Sequence, residues 1–237
     1  MSVQAQPTAA TAARTTNQAT STIGLKVVMA VTGLALFGFV IGHMLGNLQV
    51  YLPRGVDGVW ALDAYGKFLR ELGHGGGIWV ARAGLLAALV LHLGAAWALT
   101  RRSWAARPVK YRQWNAKQST YASRTMRVSG PLIFLFVVYH LMHLTWGNVH
   151  HDYRVGAVHH NVTTGLAQPL AAGVYVVAML ALGIHLYHGI WSLLQTLGLS
   201  QPRYENLRRG AAGALAALVV VGNVSIPIAA LAGWLPA

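Results

Sequence analysis

Five long apolar stretches divide the chain, at about Ile23–Leu52, Ile78–Thr100, Val128–Gly147, Pro169–Leu197 and Gly210–Leu235. A helix rising about 1.5 Å per residue needs roughly 20 apolar residues to cross a bilayer core of about 30 Å. In lipid, such segments must satisfy their backbone polar groups internally, which makes them helices. The expected fold is all-α and integral to a membrane, with five transmembrane helices of which the first four form a four-helix bundle. Lys26 and Arg82 lie near span ends, where their stems can carry the charge to the interface. Residues 1–22 are rich in Ala, Thr, Ser and Gln and have no apolar run. They read as a flexible cytoplasmic tail, not a signal peptide, leaving 23–237 as one membrane domain.

Composition narrows the class further. Apolar residues make up 55% of the 237 positions and charged residues 10%, well below the roughly 25% of a soluble domain. The absence of cysteine excludes disulfides, thiolate zinc sites and thiolate-held iron–sulfur clusters on this chain. Eighteen Lys and Arg against five Asp and Glu give a net charge of +13. On a chain this apolar, the excess marks one side of a membrane and not a nucleic-acid partner. The loop between spans two and three holds Arg101, Arg102, Arg107, Lys110, Arg112, Lys117, Arg124 and Arg127. The loop between spans four and five holds Arg203, Arg208 and Arg209, and the N-terminal part adds Arg14 and Lys26. The opposite side has Arg54, Lys67, Arg70, Arg82 and Arg154, together with Asp57, Asp63, Glu71 and Asp152. The N-terminus is therefore expected in the cytoplasm and the C-terminus outside.

The candidate chemistry is histidine. His43, His92, His140, His143, His185 and His188 lie within spans, whereas His74, His150, His151, His159 and His160 fall in loops, where solvated side chains are expected. Ionisable residues inside a membrane are costly and are read as functional by default. A proton relay or a metal permease would be expected to include carboxylates, and these spans contain none. Neutral imidazoles without acids suit a metal, and paired imidazoles suit a haem iron. Spans one and three run outward, with His43 and His140 past their midpoints. Spans two and four run inward, with His92 and His185 past theirs. His43 and His140 thus share an outer level and His92 and His185 an inner one, the arrangement of two bis-histidine haems in one bundle. His143 and His188 each follow a candidate by three residues on nearly the same helix face, so either member of each pair can be the ligand on spacing alone. Gly38, Gly42 and Gly46 form a small-residue stripe that admits a close helix or a flat macrocycle.

With these residues in place, the chain resembles the five-helix, di-haem b558-type cytochrome b subunit of succinate:quinone oxidoreductases, the succinate dehydrogenases and fumarate reductases. The resemblance runs from about Ser21 to the end of span five. It rests on Ser21 to Gly33 with Ile41-Gly42-His43-Met44, Leu91-His92 followed by Tyr111-Arg112-Gln113, Arg127-Val128-Ser129-Gly130 with His140 ten residues later, and Ile184-His185-Leu186-Tyr187-His188-Gly189-Ile190-Trp191-Ser192. It implies two haem b groups, an outer one on His43 and His140 and an inner one on His92 and His185, and so selects His140 over His143 and His185 over His188. It also implies flavoprotein and iron–sulfur partners on the cytoplasmic face, electron transfer to a quinone (menaquinone by expectation), and residence in the bacterial inner membrane. The lack of cysteine and of a G-x-G-x-x-G fingerprint fits that division of labour. Some relatives carry a quinol-site glutamate shortly after a Lys-Phe pair. Here Lys67-Phe68 is followed by Leu69, and the nearest acid is Glu71. Glu71, Arg82 and His143 are the outer-level candidates for quinone contacts. Arg127, Ser192 and Thr196 are the inner-level candidates for haem propionates, with His188 open to either role. Competing readings are the cytochrome b anchor of a formate dehydrogenase or hydrogenase and a histidine-lined metal transporter.

Overall fold

The computed structural model describes residues 21–106, 121–199 and 201–236. The tail 1–20, with Arg14, and the loop residues Arg107, Lys110, Tyr111, Arg112, Gln113 and Lys117 lie outside the described residues. Seven α-helices follow in order. They are α1 (Thr22–Asn47, continued by a 3-10 turn Leu48–Tyr51), α2 (Ala61–Glu71), α3 (Gly77–Ala105), α4 (Tyr121–His140, continued by a π turn Leu141–Thr145), α5 (Val158–Leu166), α6 (Pro169–Thr196) and α7 (Glu205–Leu231). Five of them are long and apolar enough to cross a membrane: α1, α3, α4, α6 and α7. Among the described residues the fold is all-helical, and the chain is a multi-pass membrane protein, as its hydropathy pattern requires.

Local chemistry sets the helix ends. Ser21 caps α1, its hydroxyl accepting a bond from Gly24 N at 3.0 Å, so Thr22 belongs to the first span and not to the tail. Pro169 occupies the first turn of α6, where a missing N–H costs nothing. Gly198 (φ 80) stops α6 in the left-handed conformation that a C-terminal glycine adopts freely. Span boundaries shift by a few residues from the hydropathy reading. The largest shift is at α4, which begins at Tyr121.

The bundle is centred on α6, which packs against α4 and α7 and touches α1, while α1 carries α3. One core cluster joins Leu186, Ala216 and Val219 with Phe37, Val40, Ile41 and Ile190 around them. Another closes the opposite end with Val50, Leu62, Val162, Leu166, Tyr175, Ile226 and Ala230. That second cluster includes residues of α2 and α5, two short helices in segments that the sequence offered only as loops. Large apolar side chains such as Leu86, Val90, Leu135, Leu180 and Val221 remain exposed along the spans, a surface suited to lipid and not to water. Of the glycine stripe on α1, Gly46 is packed by the Tyr65 ring, whereas Gly38 and Gly42 have no neighbour within 4 Å of where a Cβ would stand.

Candidate functional site

Among the described residues, α1 and α4 are not extensively packed together, nor are α3 and α6. Across both separations the spans meet through imidazoles. His43 of α1 faces His140 of α4, ring centroids 5.7 Å apart and planes at 90°. His92 of α3 faces His185 of α6 at 6.3 Å and 58°. Each contact joins two histidines that the topology puts at one level. Two imidazoles bound to opposite sides of one metal through bonds of about 2 Å leave their centroids about 6 Å apart.

Hydroxyl groups fix the rings. Thr32 donates its hydroxyl hydrogen to Val28 O at 2.7 Å, so its oxygen is left to accept from His92 Nδ1 at 3.2 Å. Ser129 repeats the device on α4, directed at Met126 O and at His185 Nδ1, 3.4 Å away. With the Nδ1 hydrogen held, each Nε2 lone pair is available to a metal, the usual way a ligating histidine is oriented. Thr32-Gly33 precedes His43 by the same interval at which Ser129-Gly130 precedes His140. A Cβ at Gly33 would stand 3.3 Å from His92 Cε1, and one at Gly130 would stand 4.0 Å from His185 Cε1. The α1–α3 and α4–α6 pairs are therefore built on one plan.

The outer pair is held differently. Tyr175, buried on α6, places its hydroxyl 3.1 Å from Nδ1 of both His140 and His143. The π turn makes this possible. Trp146 N bonds back to Leu141 O at 2.9 Å, and the widened turn swings His143 inward until only 2% of it is exposed. Such turns recur at functional sites. A phenol has one hydrogen, so it donates to one ring and accepts from the other. His43 has a stacking partner in Phe39, centroids 5.3 Å apart.

The loop histidines depart from expectation. His150 and His159 are buried, not solvated. His150 stacks on His143 at 5.0 Å, with its Nε2 bonded to Asn161 O and its Nδ1 accepting from Asp152 N. His159 stacks on Trp60 at 4.0 Å and 7°, and Arg54 covers the same indole. His160 and Arg154 both reach Asp152 Oδ2, at 2.9 and 3.2 Å. Burial opposes ionisation of Asp152, but the Arg154 guanidinium and the His160 ring beside it hold its carboxyl below the usual range. Burial lowers the His159 pKa below 6.5, with Asp63 partly opposing it. A buried neutral histidine contributes its full stability above the unfolded-state pKa, and that contribution is lost as pH falls below about 6.5. The melting temperature should drop between pH 7.5 and 5.5, and less so in His159→Phe, which keeps the aromatic stack; equal drops in both proteins would contradict this.

The remaining candidates separate by position. Glu71 pairs with Lys67 in an exposed contact at 3.9 Å, and Arg82 lies over Trp79. Neither joins the histidine pairs in any described contact. Arg127 reaches Ser103 Oγ at 3.5 Å and lies over Trp104. Thr196 donates to Ser192 O at 3.1 Å. Among the described residues, His188 Nδ1 is buried without a hydrogen-bonding partner. Thr32, Ser129 and Tyr175 were not singled out from sequence, although the paired hydroxyl–glycine dipeptides upstream of His43 and His140 carried a signal for the first two.

Among the described residues, no group of three or more His, Cys, Asp or Glu could hold a metal ion. Two imidazoles at each level suit a metal whose other positions are filled by a planar macrocycle, and the four histidines fit haem in donor type and spacing. A family profile for the succinate dehydrogenase/fumarate reductase transmembrane subunit matches residues 106–224, just over half of the chain. The match includes His140 and His185 and leaves His43 and His92 outside it. No curated protein and no solved structure matches the chain.

Proposed function

The chain belongs to the succinate dehydrogenase/fumarate reductase transmembrane subunit family, and from that premise we propose that it is the di-haem cytochrome b subunit through which the complex reaches quinone. The observation that carries this reading is the meeting of four histidines from four spans in two cross-bundle pairs, 5.7 and 6.3 Å between centroids. Haem b, when bound, supplies a one-electron carrier at each level. His43 and His140 would hold the outer group, and His92 and His185 the inner one. Thr32, Ser129 and Tyr175 orient three of these four rings. The apolar wall of the spans excludes water, which suits one-electron transfer between fixed sites.

Membership in this family places the chain in a complex with the other succinate dehydrogenase/fumarate reductase subunits. The basic end of the bundle, with Arg101, Arg102, Arg203 and Arg209 at the span ends, supports docking of the iron–sulfur and flavoprotein subunits there. The positive-inside tendency puts that end in the cytoplasm, in a bacterial inner membrane. For the quinone, an apolar groove of about 570 Å³ between α4 and α6 is lined by Leu132, Phe136, Tyr139, Pro169 and Val174. Tyr139 stacks on His143 at 5.4 Å, so a lipophilic quinone seated in the groove would approach the outer pair on the His143 side. This supports His143 over Glu71 and Arg82 as a neighbour of the quinone.

The complex purified with its partners should contain two haem b per copy of this chain, measured by reduced-minus-oxidised spectra and extracted haem; no b-type absorbance would overturn the reading. Tyr175→Phe should weaken outer haem retention about 10–100-fold, the usual effect of losing a group that orients a ligand, and leave the inner haem unchanged. Haem transfer to a high-affinity acceptor protein measures both rates; equal loss from the two sites would contradict the role given to Tyr175.

A further inference from the structure

The end of the bundle where α7 begins holds a cation that the described residues satisfy only in part. Arg208 lies in the first turn of α7, on the face that continues through buried Ala212, Ala216 and Val219, and is 7% exposed. Its Nη2 donates to Glu205 Oε2. The other oxygen of the same carboxylate is taken by Arg209 Nε at 2.6 Å. One negative charge is thus divided between two guanidinium groups. The remaining four acids of the chain, Asp57, Asp63, Glu71 and Asp152, all lie at or beyond the opposite ends of the spans.

Arg208 Nε and Nη1 are buried and donate to no acceptor among the described residues. A buried charged donor left without a partner is strongly unfavourable. The facing helix adds more unmet groups. Among the described residues, His188 Nδ1 is buried without a partner, and Trp191 Nε1 is buried near Glu205 without the geometry of a hydrogen bond. The His188 and Trp191 rings meet edge to face at 5.8 Å, and Arg209 lies over the Trp191 indole at 4.5 Å. Along α6, His188 and Trp191 are about 4.5 and 9 Å beyond His185. The excess positive charge argues against a cation here. Nε–H and Nη1–H lie on different edges of the guanidinium, so each is a single charge-assisted donor suited to one oxygen of a carboxylate or phosphate.

We propose that Arg208 is the centre of an oxyanion site at the basic end of the bundle, completed by His188 and Trp191 of α6, which takes a carboxylate side arm of the inner haem or the phosphate of an anionic phospholipid. The first source rests on the proposed function; the second does not. Arg209 takes the second oxygen of Glu205, so that carboxylate meets Arg208 at Nη2 alone.

The test uses the full complex with Arg208→Gln and Arg208→Lys, the latter keeping the charge and most of the volume but losing the planar fork. Two quantities are read in each protein: the dissociation rate of each haem, and the retention of added phosphatidylglycerol by native mass spectrometry. If the carboxylate is the ligand, both variants should release the inner haem about tenfold faster, the loss expected of one charge-assisted hydrogen bond, with the outer haem unchanged. Arg208→Gln should also lower the inner-haem potential, because a positive charge near the iron is gone. If the phosphate is the ligand, both haems stay and bound phosphatidylglycerol is lost in both variants. Variants that fold and match the parent in haem release, potential and lipid retention overturn the proposal. A parent complex without haem would instead overturn the proposed function, leaving the lipid measurement to decide this site.

Discussion

His92→Ala should remove the inner haem and leave the outer one in place, halving the haem b content of the purified complex. His92 supplies one of two imidazoles at its level, and its partner His185 lies across the bundle on α6. Among the described residues, no third donor is close enough to form a larger ligand group, so alanine leaves the level with a single ligand. The affinity loss should exceed the 10–100-fold typical of losing a group behind a ligand. Thr32→Val supplies that milder case, because it removes the oxygen that accepts from His92 Nδ1 while nearly preserving volume. Haem extraction together with the reduced spectrum measures both variants. Loss of both haems from His92→Ala in a protein that remains folded would mean that the two levels are not independent.

Gly165→Val should unseat the outer end of the bundle. Gly165 is buried on α5, and a Cβ there would stand 2.8 Å from His150 Cδ2 and 3.0 Å from His143 Cε1. Both imidazoles are constrained. His150 is bonded to Asn161 O at 2.9 Å, and His143 shares the Tyr175 hydroxyl at 3.1 Å. Valine must push His150 off its carbonyl, leaving buried polar groups unpaired at about 1–3 kcal/mol, and must force overpacking at a further 1–3 kcal/mol or so. The melting temperature of the detergent-solubilised protein should fall by several degrees, and outer haem retention should fall with it through His143, Tyr175 and His140. Gly173→Val is the matched control, since no atom lies within 4 Å of its Cβ position. Equal effects of the two substitutions would show that the histidine stack does not couple to the outer pair.

The spans and the pairing of histidines were legible because lipid imposes simple rules. A run of about 20 apolar residues must be a helix, alternate helices run in opposite directions, and an imidazole within such a run needs a reason. Those constraints put His43 level with His140 and His92 level with His185. Hydropathy could not show α2 and α5, which are short, mixed in polarity and defined by contacts distant in sequence, such as His159 N on Asp63 Oδ1 at 2.8 Å. Nor could it show the burial of His150 and His159, which depends on those helices closing over the outer end. Thr32 and Ser129 read as ordinary hydroxyls in a membrane helix, because bonding back to their own helix is what such residues usually do. Their second contact, to an imidazole on another span, exists only once the helices pack. Arg208 read as one more basic residue at a span end. The helix face it shares with Ala212 and Ala216 places it inside the bundle instead.

Combining substitutions tests the pairing itself. The measurement is haem b per chain in two double variants that each remove two of the four histidines. His92→Ala with His185→Ala should keep one haem, because both changes fall on the same level. His92→Ala with His140→Ala should keep none, because each level loses one of its two ligands. Equal haem content in the two double variants, both folded, would contradict two haems held crosswise between α1 and α4 and between α3 and α6.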